Sequence, residues 1–156
     1  MKKNQKGFTI IELVLVMLVT SVLLALVVTT YSGVQTKNRN SQRQKDIDKL
    51  QNGLETYYAQ YTKYPTLTDA NSAKWRTSTN IKDLSQATVQ DPKWDNNKAC
   101  IAGTAAVLSA MPAQGCYSYQ VSTSDGSPCS AQVPCAQYTL TTMLEGGQKY
   151  TKSSPN

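Results

Sequence analysis

Few residues in this chain can do chemistry, and their placement limits what that chemistry is. Glu12 is the only charged residue between Phe8 and Thr30, a run of 23 residues dominated by Val, Leu and Ile. An acidic group inside a membrane helix costs roughly 2.5–3.5 kcal/mol on insertion scales. A place in the first helical turn returns only about 0.3–1 kcal/mol through the dipole. The cost exceeds the return, so Glu12 calls for a specific partner. The other candidates are Cys100, Cys116, Cys129 and Cys135, all in the carboxyl-terminal third. An even count beyond an apolar run reads as two disulfides in an oxidising compartment. Four cysteines allow three pairings. Cys100–Cys116 with Cys129–Cys135 is favoured because each closes a short local loop, contributing about 3 and about 2 kcal/mol on the loop-entropy account. A zinc site competes for the same residues, but the chain has no Cys-x-x-Cys pair and no histidine.

That inventory argues against an enzyme. Histidine is absent, as are a paired-carboxylate motif, a glycine-rich phosphate loop and a cysteine free of a partner. No catalytic residue, metal or cofactor is therefore expected. The net charge is +6, but Lys2, Lys3 and Lys6 supply three of those charges from the first seven residues. The basic balance is thus partly a targeting feature and does not by itself indicate nucleic acid. Lys37, Arg39, Arg43, Lys45 and Lys49 form a second basic cluster, read as a solvated helix face partly offset by Asp46 and Asp48. It could meet anionic lipid headgroups. Aromatic residues do not interleave it, so nucleic acid is weighed as a partner and not indicated.

These residues need elements to position them. At 1.5 Å per residue the run from Phe8 to Thr30 makes a helix of roughly 35 Å, enough for a hydrocarbon core of about 30 Å. Beyond Gly33 the chain turns polar, yet Ile47, Leu50, Leu54, Tyr57 and Tyr61 recur at three- and four-residue steps. With no proline between Phe8 and Tyr64, one helix of about 80 Å is expected. Its first half, residues 8–30, is apolar all round. Its second half, residues 31–61, is amphipathic and should lie on a globular domain, residues 62–156. Gly33 and Gly53 each weaken it by about 1 kcal/mol. Tyr64-Pro65 stops it. The tyrosines at 57, 58, 61 and 64 read as core packing. Residues 66–99 read as loop, anchored by Trp75, Ile81, Leu84, Val89 and Trp94, with a short helix near Asn80–Gln86. Alternation then predicts three antiparallel strands: Tyr117–Val121, Tyr138–Leu144 and Gln148–Lys152, the last two joined at Gly146-Gly147. The fold class is α+β, with the helical stripe covering one face of the sheet.

The stretch Lys6-Gly7-Phe8-Thr9-Ile10-Ile11-Glu12-Leu13 closely resembles the class III signal sequence of type IV pilins and pseudopilins, near residue-perfect from Gly7 to Leu13. The resemblance implies that residues 1–7 are a leader, that a membrane peptidase/methyltransferase cuts after Gly7, and that Phe8 becomes the methylated amino terminus. The functional reading of Gly7 is close backbone access for that peptidase. Glu12 is then the assembly carboxylate, paired with the amine of Phe8 on a neighbouring subunit. No small-residue cleavage site follows the apolar run at 27–33, so the helix would stay on the mature chain. Two positions depart from the family: Thr29 stands where a helix-breaking proline is frequent, and Ser21 where glycine is. These remove the signal for local melting of the helix during assembly but leave the cleavage signal intact.

Lysines and arginines flank the run on both sides and do not fix its orientation. The cysteines put the globular domain outside, and the resemblance agrees. The implied partners are other pilins in a homo-oligomeric helical filament, the processing enzyme, and an assembly platform in the cytoplasmic membrane. The expected location is a single-pass precursor with a cytoplasmic amino terminus, then the cell surface. The expected function is a structural subunit of a type IV pilus-like filament, serving adhesion, motility or DNA uptake. Two alternatives stand beside it: a pseudopilin of a type II secretion or competence apparatus, and a membrane-tethered module binding a ligand or DNA. Major secretion pseudopilins carry acidic calcium-ligand clusters, whereas Asp125 and Glu145 stand apart here.

Overall fold

The computed structural model describes residues 7–76, 80, 81, 84–94, 100 and 107–155, with the side chains of 27–30 and 32 left aside. A single helix, α1, runs from Ile10 to Tyr61, 52 residues. The chain divides into two compact units between Asn38 and Arg39. In the first, the apolar side chains of α1 from Ile10 to Leu26 are exposed. The two hydroxyls between Ile10 and Leu26 are satisfied within the helix: Thr20 donates to Val16 O at 2.8 Å and Ser21 to Leu18 O at 2.8 Å. Among the described residues no helix is long and apolar enough to cross a membrane. This departs from the span expected over 8–30; the side chains of 27–30, where that run ends, lie outside the described set.

In the second unit α1 packs on a sheet. Ile47, Leu50, Leu54 and Tyr57 are buried at helical spacing, while Tyr61, the fifth residue of the expected stripe, is 38 % exposed. The helix ends there. Thr62 takes a left-handed conformation (φ 55°) and its N–H donates to Tyr58 O at 2.7 Å. A β-branched residue is poorly suited to that region, and glycine usually fills it.

The sheet has the order β1-β2-β3-β4, with β1 Leu108–Ser109, β2 Tyr117–Ser122, β3 Gln137–Met143 and β4 Lys149–Ser153. Three of the strands follow the alternation, paired antiparallel with Tyr119 opposite Leu140 and Leu140 opposite Lys152. Tyr117, Tyr119, Tyr138 and Leu140 fill the core, and Gln120, Thr139 and Ser153 share the other face. The expectation of three strands needs correction. The two-residue β1 adds a fourth, parallel to β2. Its length gives no periodic signal; Asn71 holds it instead, accepting from Val107 N at 2.9 Å and Leu108 N at 2.8 Å. The loop between α1 and β1 is also more structured than expected. Thr66 and Asp69 cap each other to start α2, Leu67–Asn71. The expected helix near 80–86 forms later, as α3, Gln86–Val89, because Ser85 caps it by accepting from Thr88 N; residues 82 and 83 lie outside the described set. The sulfurs of Cys100–Cys116 and of Cys129–Cys135 are bonded.

Gly53 is a packing requirement. A Cβ there would lie 2.8 Å from Ile81 Cγ2 and 3.2 Å from Leu84 Cδ1. Replacing it with alanine gains about 1 kcal/mol of helix propensity but overpacks the core by about 1–3 kcal/mol. Gly53→Ala should therefore lower stability by about 1 kcal/mol in urea unfolding. Thr62→Gly should raise it by roughly 1 kcal/mol in the same measurement, by relieving the left-handed strain.

Candidate assembly site

The amino-terminal residues are placed by a helix start. Thr9 precedes α1, and its Oγ accepts from the backbone N–H of Glu12 at 3.2 Å, satisfying a donor that the first turn would otherwise leave open. Leu13 N donates to Thr9 O at 3.2 Å. Glu12 thus sits in the first turn, where the dipole favours an anion. Its side chain is exposed and has no partner among the described residues. Phe8, four residues earlier, is 85 % exposed. A Cβ built at Gly7 meets nothing within 4 Å, so the chain itself makes no demand for glycine there. The segment therefore offers an accessible junction, an unpaired carboxylate and, to Leu26, an exposed apolar helix surface.

The basic cluster is not the solvated face expected of it. Arg43 and Asp46 are buried. Arg43 Nε lies 2.6 Å from Asp91 Oδ2, and the two side chains are 3 % and 1 % exposed. The same guanidinium reaches Glu145 Oε1 at 3.1 Å. Arg39 meets Glu145 through two bonds, of 2.5 and 2.8 Å, and Lys93 Nζ is 2.9 Å from Glu145 Oε2. Hydrogen bonds from Arg39 and Lys93 hold the Glu145 carboxyl well below the usual range. Asp46 accepts from Tyr117 at 2.9 Å and from Gln42 at 2.8 Å. Burial pushes the Asp46 carboxyl up, against those two bonds. Sequence reading missed this network because its ion pairs join residues 48 to 106 positions apart. Lys37, Lys45 and Lys49 do remain exposed.

The carboxyl-terminal acids are engaged elsewhere. Asp125 accepts from Thr123 and Ser127 within its own turn, which lowers its carboxyl. Among the described residues no group of three or more His, Cys, Asp or Glu could hold a metal ion. An open cavity of about 640 Å³ lies between α2, β2 and the Cys129 loop. Its one carboxylate, Asp69, is occupied in capping Thr66, so paired acid–base groups do not meet there.

Residues 2–28 match the family model described as the prokaryotic N-terminal methylation motif. A curated relative, the type II secretion system core protein G of Aeromonas hydrophila, is 34 % identical over 65 residues, covering 42 % of this chain and 46 % of the relative. The chain thus spans about half the length of that relative. No solved structure matches it. With this motif over Gly7, Phe8 and Glu12, and a long amino-terminal helix followed by a small disulfide-stapled sheet, the chain is similar to type IV pilin-like proteins.

Proposed function

We propose that this chain is a non-catalytic structural subunit of a type IV pilus-like filament. One observation carries the reading: Glu12 is an unpaired carboxylate in the first turn of a helix whose neighbouring apolar side chains are exposed. The exposed apolar surface is unfavourable in water and the unpaired carboxylate is unfavourable out of it, and a second copy relieves both. After cleavage behind Gly7, the new amine at Phe8 of one subunit neutralises Glu12 of the next and sets the axial register. Methylation of Phe8 leaves that amine cationic. Apolar packing of α1 supplies the bulk of the attraction. Before assembly the run from Phe8 to Thr30 holds the precursor in the cytoplasmic membrane, with the disulfide-bonded domain outside. The hydroxyls of Thr20 and Ser21, bonded inside the helix, bring no orphan donor into either surrounding. The processing peptidase/methyltransferase and a membrane assembly platform are the partners this route requires.

A second reading, a pseudopilin of a secretion or competence apparatus, draws support from the name of the curated relative. Against it, Glu145 is held by Arg39, Arg43 and Lys93, and Asp125 by its own turn. Neither is open to serve a cation cluster. A membrane-tethered binding module would form no filament at all.

Electron microscopy of sheared surface material, probed with antibody to the globular domain, separates these readings. Labelled surface filaments support the pilus subunit; a secretion defect without surface filaments favours the pseudopilin; neither leaves the tethered module. Two variants test the mechanism. Glu12→Val should be cleaved normally, with a mature terminus at Phe8 by amino-terminal sequencing, yet lose at least tenfold in filament yield. Wild-type yield from that variant would sink the ion-pair role. Gly7→Val should fold as before, since a Cβ is accommodated, but accumulate as the uncut precursor by mass spectrometry.

A further inference from the structure

The part of α1 that opens the second unit, residues 39–46, carries no apolar side chain. Between Arg39 and Asp46 the buried residues are Arg43 and Asp46; the first buried apolar residue of the helix is Ile47. The whole stretch is held by polar groups. Arg39 and Arg43 grip Glu145, and Arg43 grips Asp91. The Asn40 carboxamide brackets the backbone of Glu145, accepting from its N–H at 2.9 Å and donating to its carbonyl at 3.1 Å. Glu145 is presented by the β3–β4 turn, where Gly146 (φ 106°) and Gly147 (φ 86°) adopt conformations closed to most side chains. Lys93 completes the charge ring and is half exposed, so water and salt reach one side of it. From Ile47 onward, by contrast, α1 is anchored in a hydrophobic core that includes Leu50, Leu54 and Leu140.

Polar and apolar docking respond differently to the loss of one charge. A core loses stability as a whole, whereas a segment held by ion pairs and hydrogen bonds can open by itself. We propose that Arg39–Asp46 of α1 and the β3–β4 turn form a releasable clasp, which opens as a local unit while Ile47–Tyr61 stays packed. Opening frees about two further turns of α1 from the sheet. Residues 39–46 thereby leave the sheet without the domain unfolding. Glu145 is the latch, because it meets Arg39, Arg43, Lys93 and Asn40 together.

Hydrogen–deuterium exchange on the full chain in zwitterionic detergent micelles tests this directly. In Glu145→Gln, peptides covering 39–46 and 144–148 should exchange at least tenfold faster than in the wild type. Peptides covering 50–57 and 117–121 should stay within twofold. Raising sodium chloride from 0.05 to 1 M should shift the wild type the same way at 39–43, with a smaller change. Uniform acceleration across all four regions would show a general loss of stability and overturn the clasp, as would unchanged exchange at 39–46. Should Glu145→Gln fail to fold, Lys93→Ala serves in its place, with an expected three- to tenfold acceleration confined to the same two segments. The readout needs no filament, so it stands or falls apart from the assembly reading.

Discussion

Three carboxylates of α1 each accept a hydrogen bond from a tyrosine on a different strand, and the rest of the domain is arranged around that register. Tyr117 of β2 donates to Asp46 at 2.9 Å, Tyr150 of β4 to Asp48 at 2.9 Å, and Tyr138 of β3 to Glu55 at 2.6 Å. Hydrogen bonds to charged groups contribute about 1.5–3 kcal/mol each, and a buried acceptor left open costs at least as much. A slip of the helix by one turn, about 5.4 Å, would misplace all three acceptors together. Apolar packing alone tolerates such slips, because one leucine serves nearly as well as the next. Burial first, and then the adjacent carboxylate, pushes the hydroxyl of Tyr117 far above its ordinary value. It therefore stays a donor throughout the physiological range.

The same economy shows in the aromatic core. Tyr64 and Tyr138 meet edge to face at 4.7 Å, and Tyr58 stacks on Tyr64 at 4.6 Å. A core of tyrosines suits a small domain that buries little aliphatic surface. The rings add apolar area, and the hydroxyls of Tyr64, Tyr117, Tyr119 and Tyr138 find acceptors: Tyr119 reaches the Pro65 carbonyl at 2.7 Å. Gly53 then lets the loop carrying Ile81 and Leu84 lie close against α1. The glycine that looks like a weak point in an isolated helix is a site of tight packing in the folded chain.

What could be read from the sequence was whatever is local or periodic. The stripe Ile47–Leu50–Leu54–Tyr57 shows because helical spacing is written in the chain itself, as does the alternation of β2 and β3. Gly146-Gly147 marks its hairpin for the same reason. Cysteine pairing was legible because loop closure favours near neighbours. The assembly motif is linear, so Gly7, Phe8 and Glu12 stand out together. Hidden features depend on contacts across the chain. Nothing near Arg43 reveals that Asp91 will neutralise it, and nothing near Leu108 reveals that Asn71 will pin a two-residue strand. Tyr61 has the right spacing for burial, but the helix ends at its own position, where the packed surface runs out.

The junction just past α1 has a mechanical consequence. Tyr64 N donates to the carbonyl of Cys135 at 2.8 Å, and Cys135 is covalently closed to Cys129. Two residues further on, β3 begins. Through that bond, tension drawn along the carboxyl end of α1 is shared with an interior strand, bounded by β2 on one side and β4 on the other. Both ladders must fail together before that strand can leave. A tug on an edge strand would instead break one bond at a time, as a zipper does.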